Sequence, residues 1–327
     1  MDCLVGIDIG GTNIKIGIIR TGTQFAVLKK ISMPTNPADP AEKMVQRMAE
    51  AAKKLIAETA QKPIGVGVGC PGLIDPKSGM VKKSPNLPNL PHYPLRDRLQ
   101  AQLGLDVEIQ NDANAAALGE FLFGPSKGIN NLILLTLGTG VGGGIVADGH
   151  LLEGADNAAG ELGHVKVEFT DGHPCACGKA GCLEAYAGAA GIARIANDVG
   201  ATAGSAVGAA SAAGAKRFDT RALADAANAG NAPAQKTFFI VGQYLGRAIA
   251  NLIDTFNPEK VVIGGGASAT MELLRPGIHQ AVEEYASFPE TLSRVQIERS
   301  AFPDDINVIG AAATWLNAHR IPVSHSK

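Results

Sequence analysis

Gly6-Ile7-Asp8-Ile9-Gly10-Gly11-Thr12-Asn13-Ile14-Lys15-Ile16-Gly17 lies almost at the start of a 327-residue chain. β-Branched residues alternate on both sides of its glycine pair, at Val5, Ile7 and Ile9 and again at Ile14, Ile16 and Ile18. Period-two alternation broken by Gly-Gly predicts a strand, a glycine turn and a second strand. The turn offers backbone N–H groups unshielded by side chains, and Thr12 and Asn13 add donors. Such a turn can hold phosphate oxygens, and it is also the turn of an ordinary β-hairpin.

The same form returns between Leu132 and Ile145, where an apolar run enters Thr136-Leu137-Gly138-Thr139-Gly140 and a second run leaves. Laid on the first copy, Asp8 falls on Thr136, Gly10 on Gly138 and Gly11 on Thr139. This reads as an internal duplication with one phosphate hairpin per domain. No Lys-Ser or Lys-Thr pair follows either turn, which excludes a P-loop. No helix follows directly, which excludes the dinucleotide fingerprint. The first copy carries a carboxylate suited to a metal, and the second a hydroxyl and backbone donors.

A chain of this length predicts two domains, each able to bury a core. With 46% hydrophobic and 18% charged residues it is globular, not disordered. A net charge of -2 leaves no basic excess for nucleic acid. No long apolar run free of glycine or charge predicts a membrane span. Asp2 and Asp8 interrupt the region a signal peptide would need, so a cytoplasmic protein is expected. Three of the five cysteines crowd into one loop, a pattern that suits a metal site in a reducing compartment better than disulfides.

Along the chain, Gln24 to Ile31 reads as a third strand, Ala41 to Ala60 as an amphipathic helix and Ile64 to Val68 as a buried strand before Cys70-Pro71-Gly72. A strand at Val107 ends in Asn111-Asp112, and Ala113 to Phe123 is helical. Asp112 thus stands either as a helix N-cap or as a carboxylate at the sheet's C-terminal edge, where ligands of open α/β sheets bind. Beyond the second hairpin, Gly160-Glu161-Leu162-Gly163-His164 precedes Cys175-Ala-Cys177-Gly-Lys-Ala-Gly-Cys182-Leu-Glu184. Three thiols and an imidazole suit tetrahedral, structural zinc, with His173 a rival to His164 as fourth ligand. Glu184 begins a helix towards Ala196, residues 200–214 read as a mobile loop, and Ala232 to Phe256 as a long buried helix. A third glycine turn, Gly264-Gly265-Gly266-Ala267, suits a nucleotide's base and ribose or a close helix–strand contact. A final helix at Ile309 to Asn317 precedes a frayed tail at 321–327.

Two phosphate hairpins with a carboxylate at one sheet edge predict a phosphotransferase, whose chemistry calls for Mg²⁺ to neutralise the phosphates. Asp8 is the expected Mg²⁺ carboxylate and Asp112 the expected base. Asp8-Ile-Gly-Gly-Thr12, Pro71-Gly72, Asn111-Asp112-Ala-Asn114, the run from Leu137 to His164 and the cysteine knuckle through Glu184 resemble the ROK family of sugar kinases and sugar-responsive repressors, within the actin/hexokinase-like superfamily.

The resemblance covers almost the whole chain. It implies an α/β protein of two ribonuclease-H-like domains with a cleft between them. The smaller would span 1–117 and regain about 307–327; the larger, 118–306, would hold a zinc knuckle at 164–182. It implies Asp112 as base on a sugar 6-hydroxyl, with sugar contacts from Gly72, Asn86, Asn111, Asp112, Glu161, His164 and Glu184. ATP would lie on Gly10, Gly11, Thr12, Asn13, Gly138, Thr139 and Gly140, with adenosine near Gly265 and Gly266. Zinc would sit on His164, Cys175, Cys177 and Cys182, fixing the sugar loop without touching the chemistry. The full knuckle with Glu184 is most similar to bacterial glucokinases, which implies glucose as the acceptor. N-Acetylmannosamine, fructose, allose or mannose kinases, a non-catalytic sugar sensor, and polyphosphate as donor are the alternatives. A homo-oligomer is expected from the family.

Overall fold

The computed structural model describes residues 2–22, 25–84, 86–125, 128–201 and 219–320, with the backbone of Val207–Ala210 and Lys216–Phe218. The expected tail at 321–327 and part of the expected loop at 200–214 lie outside these residues. In chain order the elements are β1 (Cys3–Ile9), β2 (Asn13–Arg20), β3 (Ala26–Pro34), α1 (Ala41–Thr59), β4 (Pro63–Cys70), β5 (Leu73–Asp75), β6 (Met80–Lys83), α2 (Leu95–Leu103), β7 (Val107–Asn111) and α3 (Asp112–Phe123). Then come β8 (Leu132–Leu137), β9 (Val141–Ala147), β10 (His150–Leu151), α4 (Glu184–Ala187), α5 (Ala189–Asp198), β11 (Val207–Ala210), β12 (Lys216–Phe218), α6 (Thr220–Asn228) and α7 (Ala232–Phe256). β13 (Lys260–Gly264), α8 (Met271–Tyr285), α9 (Pro289–Leu292), β14 (Gln296–Arg299) and α10 (Ile306–Ala318) complete it.

Two five-stranded sheets share one plan. The first has the order β3-β2-β1-β4-β7 and the second β10-β9-β8-β13-β14. In the first, β1, β2 and β3 pair antiparallel while β4 and β7 join in parallel. In the second, β13 joins β8 and β14 in parallel, and β10 pairs antiparallel with β9. A repeated mixed order is the architecture expected of duplicated ribonuclease-H-like domains. It makes β1–β2 and β8–β9 equivalent hairpins.

The chain forms two compact units, Met1–Asn130 with Gly144–Gly160 and Asp304–Lys327, and Asn131–Gly143 with Glu161–Pro303. The expected boundary at 117/118 falls inside α3, which lies whole in the first unit. The partner of α3 is α10: a Cβ on Gly119 would stand 2.9 Å from Gly310 Cα, so only paired glycines permit this approach.

Alternation along β1 sorts its side chains to two faces. Cys3, Val5, Ile7 and Ile9 join Met44, Met48 and Leu55 of α1 and Leu95 and Leu99 of α2 in one core cluster. The opposite face carries Gly6 and Asp8. There α10 lies directly on the sheet: a Cβ at Gly6 would be 2.1 Å from the Val308 carbonyl. Burying the broad apolar surface of α10, at about 25 cal/mol per Å², holds this helix down. Asp8 therefore points to the α10 side of the sheet, at its C-terminal edge.

Two local expectations change. The helix from Glu184 does not run on to Ala196: it breaks after Ala187, with Gly188 extended, because Ala189 N–H donates to the Gly138 and Thr139 carbonyls at 3.1 and 3.2 Å. Within 200–214, Val207–Ala210 pairs antiparallel with Lys216–Phe218, so this stretch is not all loop. No helix among the described residues is long and apolar enough to cross a membrane.

Candidate functional site

In the first unit the β1–β2 turn is open to solvent at Gly11, Thr12 and Asn13. It is pinned from behind. Gly10 N–H donates to the Asn13 carbonyl at 3.0 Å, and Thr35 N–H donates to the Thr12 carbonyl at 3.0 Å. The Thr35 hydroxyl donates to the Gly10 carbonyl at 2.6 Å, and Arg47 in turn holds the Thr35 carbonyl. Thr35 is fully buried. Spending the turn's carbonyls on the scaffold leaves its N–H groups on the exposed side, the polarity an anion site needs. A Cβ on Gly11 would touch Asn86 Cβ at 3.5 Å, which places Asn86 beside the turn.

β7 ends at Asn111, and Asn111, not Asp112, caps the next helix. Its side-chain oxygen accepts from Ala113 N–H at 2.9 Å and Asn114 N–H at 3.1 Å. Its amide nitrogen donates to the Gly72 carbonyl at 3.1 Å. Gly72 has φ +108°, and a Cβ there would lie 2.1 Å from the Lys83 carbonyl, so no other residue fits. With the cap supplied by its neighbour, Asp112 is the first residue of α3, where the helix N-terminus favours negative charge.

Asp8 is 5% exposed and lies in register with Gly69 of β4 and Lys15 of β2. Asn307, at the start of α10, donates to both its oxygens at 3.4 and 3.3 Å. Burial first, then the Asp112 charge, pushes the Asp8 carboxyl up to about 7; Lys15 and Asn307 pull the other way. The fully buried Cys70 thiol is raised well above its ordinary range by burial and by the same two carboxylates. Asp8 and Asp112 thus share one place at the end of β1, β4 and β7. A buried carboxylate facing a second one is under-compensated, and a divalent cation relieves that repulsion. The residues present fit magnesium on this ground.

Sequence reasoning missed Asn307 and Thr35. Asn307 is 299 positions from Asp8 and carries no local signal.

In the second unit the β8–β9 turn is closed by Gly138 N–H donating to the Gly140 carbonyl at 3.0 Å. Glu184 supports it: one carboxylate oxygen accepts from Val141 N–H at 3.1 Å. The other accepts from the Cys175 thiol at 3.4 Å. The third glycine turn abuts the same hairpin. Gly265 has φ +80°, and a Cβ there would meet the Leu137 carbonyl at 2.4 Å, while Gly266 faces open space. α7 and α8 border an open groove of about 520 Å³, lined by Gln235, Lys236, Phe239, Glu272 and Leu273.

His164, Cys175, Cys177 and Cys182 bring their ligand atoms within 4.8 Å of one another. Cys175 Sγ is 3.7 Å from His164 Nδ1, and Cys177 Sγ is 3.7 Å from Cys182 Sγ. Zinc–sulfur bonds of about 2.3 Å in a tetrahedron put sulfurs about 3.8 Å apart, so the donor set fits that ion. His173 stands outside the cluster; its backbone N–H donates to the Tyr186 hydroxyl at 3.0 Å. Glu161 is exposed, and its carbonyl accepts from His164 N–H at 3.0 Å, fixing it one short turn from the imidazole.

A model of the ROK family matches residues 4–318. The chain belongs to the ROK family. Among its relatives, a glucokinase of Halalkalibacterium halodurans is 39% identical over 321 residues, 95% of this chain and 94% of the relative. A glucokinase of Thermotoga maritima is 37% identical over 310 residues, 95% of this chain and 96% of the relative. The solved structure of a ROK family glucokinase from Streptomyces griseus, in complex with glucose and AMPPNP, is 32% identical. It superposes with a TM-score of 0.79, covering 95% of this chain and 98% of the other.

Proposed function

We propose that this ROK chain transfers the γ-phosphoryl group of ATP to the 6-hydroxyl of glucose, giving glucose 6-phosphate and ADP. The observation that carries the reading is the pairing of Asp8 and Asp112 beside an open glycine turn, with Asp112 presented at the head of α3. The relatives named glucokinases support the sugar.

Asp112 takes the proton as the hydroxyl oxygen bonds to phosphorus and the bond from phosphorus to the β–γ bridging oxygen breaks. A positioned base of this kind contributes about 10²–10⁴-fold. Asp8, braced by Asn307, would hold Mg²⁺, which supplies charge neutralisation at the phosphates when bound. Gly10, Gly11, Thr12, Asn13, Gly138, Thr139 and Gly140 donate to phosphate oxygens. Adenosine lies near Gly265 and Gly266. Gly72, Asn86, Asn111, Glu161, His164 and Glu184 orient the sugar. His164, Cys175, Cys177 and Cys182 would hold zinc as a closed structural site that fixes the sugar loop. None of the five cysteines is in a disulfide, which supports a cytoplasmic enzyme. The net charge of -2 supports partners other than nucleic acid, and family likeness supports a homo-oligomer.

A coupled ADP-release assay over a panel of hexoses, with ATP and then polyphosphate as donor, tests the reaction. Glucose with ATP gives the largest kcat/KM; a flat response across the panel overturns the kinase reading. Asp112→Asn lowers kcat by about 10²–10⁴-fold while glucose binding, read by calorimetry, persists. Turnover near the wild-type rate would remove Asp112 as base.

A further inference from the structure

We infer that Lys166 completes the charge of the thiol–imidazole cluster and slows its loss of metal. The inference rests on reading His164, Cys175, Cys177 and Cys182 as a zinc site. Three thiolates, one neutral imidazole and a divalent cation carry a formal charge of −1. A net charge in a partly buried site is costly unless something nearby balances it.

Lys166 supplies that balance. Its Nζ donates to Cys182 Sγ at 2.8 Å. The contact is built in by the backbone: Lys166 and Cys182 face each other across an antiparallel bridge. Flanking hydrogen bonds run from Val167 N–H to the Gly181 carbonyl and from Leu183 N–H to the Val165 carbonyl. Cys182 is fully buried, so its sulfur has no access to water and depends on protein donors. No carboxylate among the described residues lies within ion-pair distance of Lys166. The nearby Glu168 is engaged by Arg247 at 3.5 Å. The ammonium is therefore committed to the sulfur. A charge-assisted bond of this kind lowers the affinity of the thiolate for protons, so the sulfur is less readily protonated and lost from the metal. Outer-shell partners of metal ligands are commonly worth about 10–100-fold in metal affinity. Lys166 touches no expected substrate residue, so it acts as a positioning and charge-balancing residue.

The test uses the full chain with Lys166→Met, which keeps the aliphatic stem, and Lys166→Arg, which keeps the charge. Zinc content after purification and its release to excess EDTA, followed with a metallochromic dye, give stoichiometry and rate. Lys166→Met is expected to release zinc about tenfold or more faster than wild type, and Lys166→Arg within about threefold of it. With cobalt substituted for zinc, the sulfur-to-cobalt charge-transfer band moves to lower energy in Lys166→Met, because the freed thiolate donates more strongly. Equal release rates and an unmoved band in Lys166→Met overturn the inference, as does Lys166→Arg releasing metal as fast as Lys166→Met. A wild-type chain that binds neither zinc nor cobalt overturns the zinc reading itself, and this inference with it.

Discussion

Asp8→Asn removes a buried charge while keeping size and shape, and its effect on stability is calculable from the surroundings of Asp8. The folded-state carboxyl titrates at about 7 against an ordinary 3.8. A group whose folded pKa is raised contributes stability that is fully present below pH 4 and is lost as pH rises through 7. That rise, at about 1.36 kcal/mol per pH unit, corresponds to about 4 kcal/mol lost between pH 4 and pH 8. At pH 5 about 2 kcal/mol of it is gone. The neutral asparagine escapes this loss. Without added divalent cation, Asp8→Asn is therefore expected to be more stable than wild type at pH 8 by up to about 4 kcal/mol, with the advantage shrinking to about 2 kcal/mol at pH 5. Added magnesium stabilises wild type and leaves the variant unchanged, since the cation compensates a charge that only wild type carries.

The assay is urea denaturation at pH 5, 6.5 and 8, read by tryptophan fluorescence. The chain has a single tryptophan, Trp315, on α10 in the first unit, 7% exposed and donating to Asp106 at 2.7 Å. Its emission follows the unit that contains Asp8. A stability difference that does not change with pH, or a wild type more stable than the variant at pH 8 without magnesium, would refute the reasoning.

Two further substitutions probe the scaffold. Asn111→Ala removes the acceptor for two helix N–H groups and the donor to Gly72, and should cost about 1–2 kcal/mol in the same fluorescence assay. An unchanged midpoint would show that water replaces the cap. Glu184→Ala frees Val141 N–H at the base of the second glycine turn, a charge-assisted bond worth about 1.5 kcal/mol, so KM for ATP should rise about tenfold. A rise in sugar KM alone would confine Glu184 to the sugar.

Much of the fold was legible in local pattern. Alternation around Asp8 and its echo at Thr136 marked two equivalent hairpins, because strand periodicity is written residue by residue. The thiol spacing from Cys175 to Cys182 marked a metal-type cluster for the same reason: a glycine-rich knuckle brings close neighbours together whatever the rest does. Asp112 at a strand–helix junction was legible as well, though its alternative role as cap went to Asn111, one residue earlier. A single residue decides which side chain reaches the N–H groups, and only the observed backbone angles show it.

Other features depended on partners far along the chain. His173 was a rival to His164 by spacing; His164 Nδ1 lies 3.7 Å from Cys175 Sγ, whereas His173 is outside the thiol cluster. The sequence reading ran one helix from Glu184 towards Ala196, yet Gly188 is extended and Ala189 N–H is claimed by the turn at Gly138 and Thr139. Asn307, Thr35 and Lys166 gave no signal at all, since each matters only for the atom it meets. Periodicity and short spacing marked most of the strands and helices, the two glycine hairpins and the clustering of three thiols with His164. Tertiary structure alone decided that α10 returns to lie on Gly6 and brings Asn307 to Asp8, because that contact arises from burying an apolar helix against glycines 300 residues away.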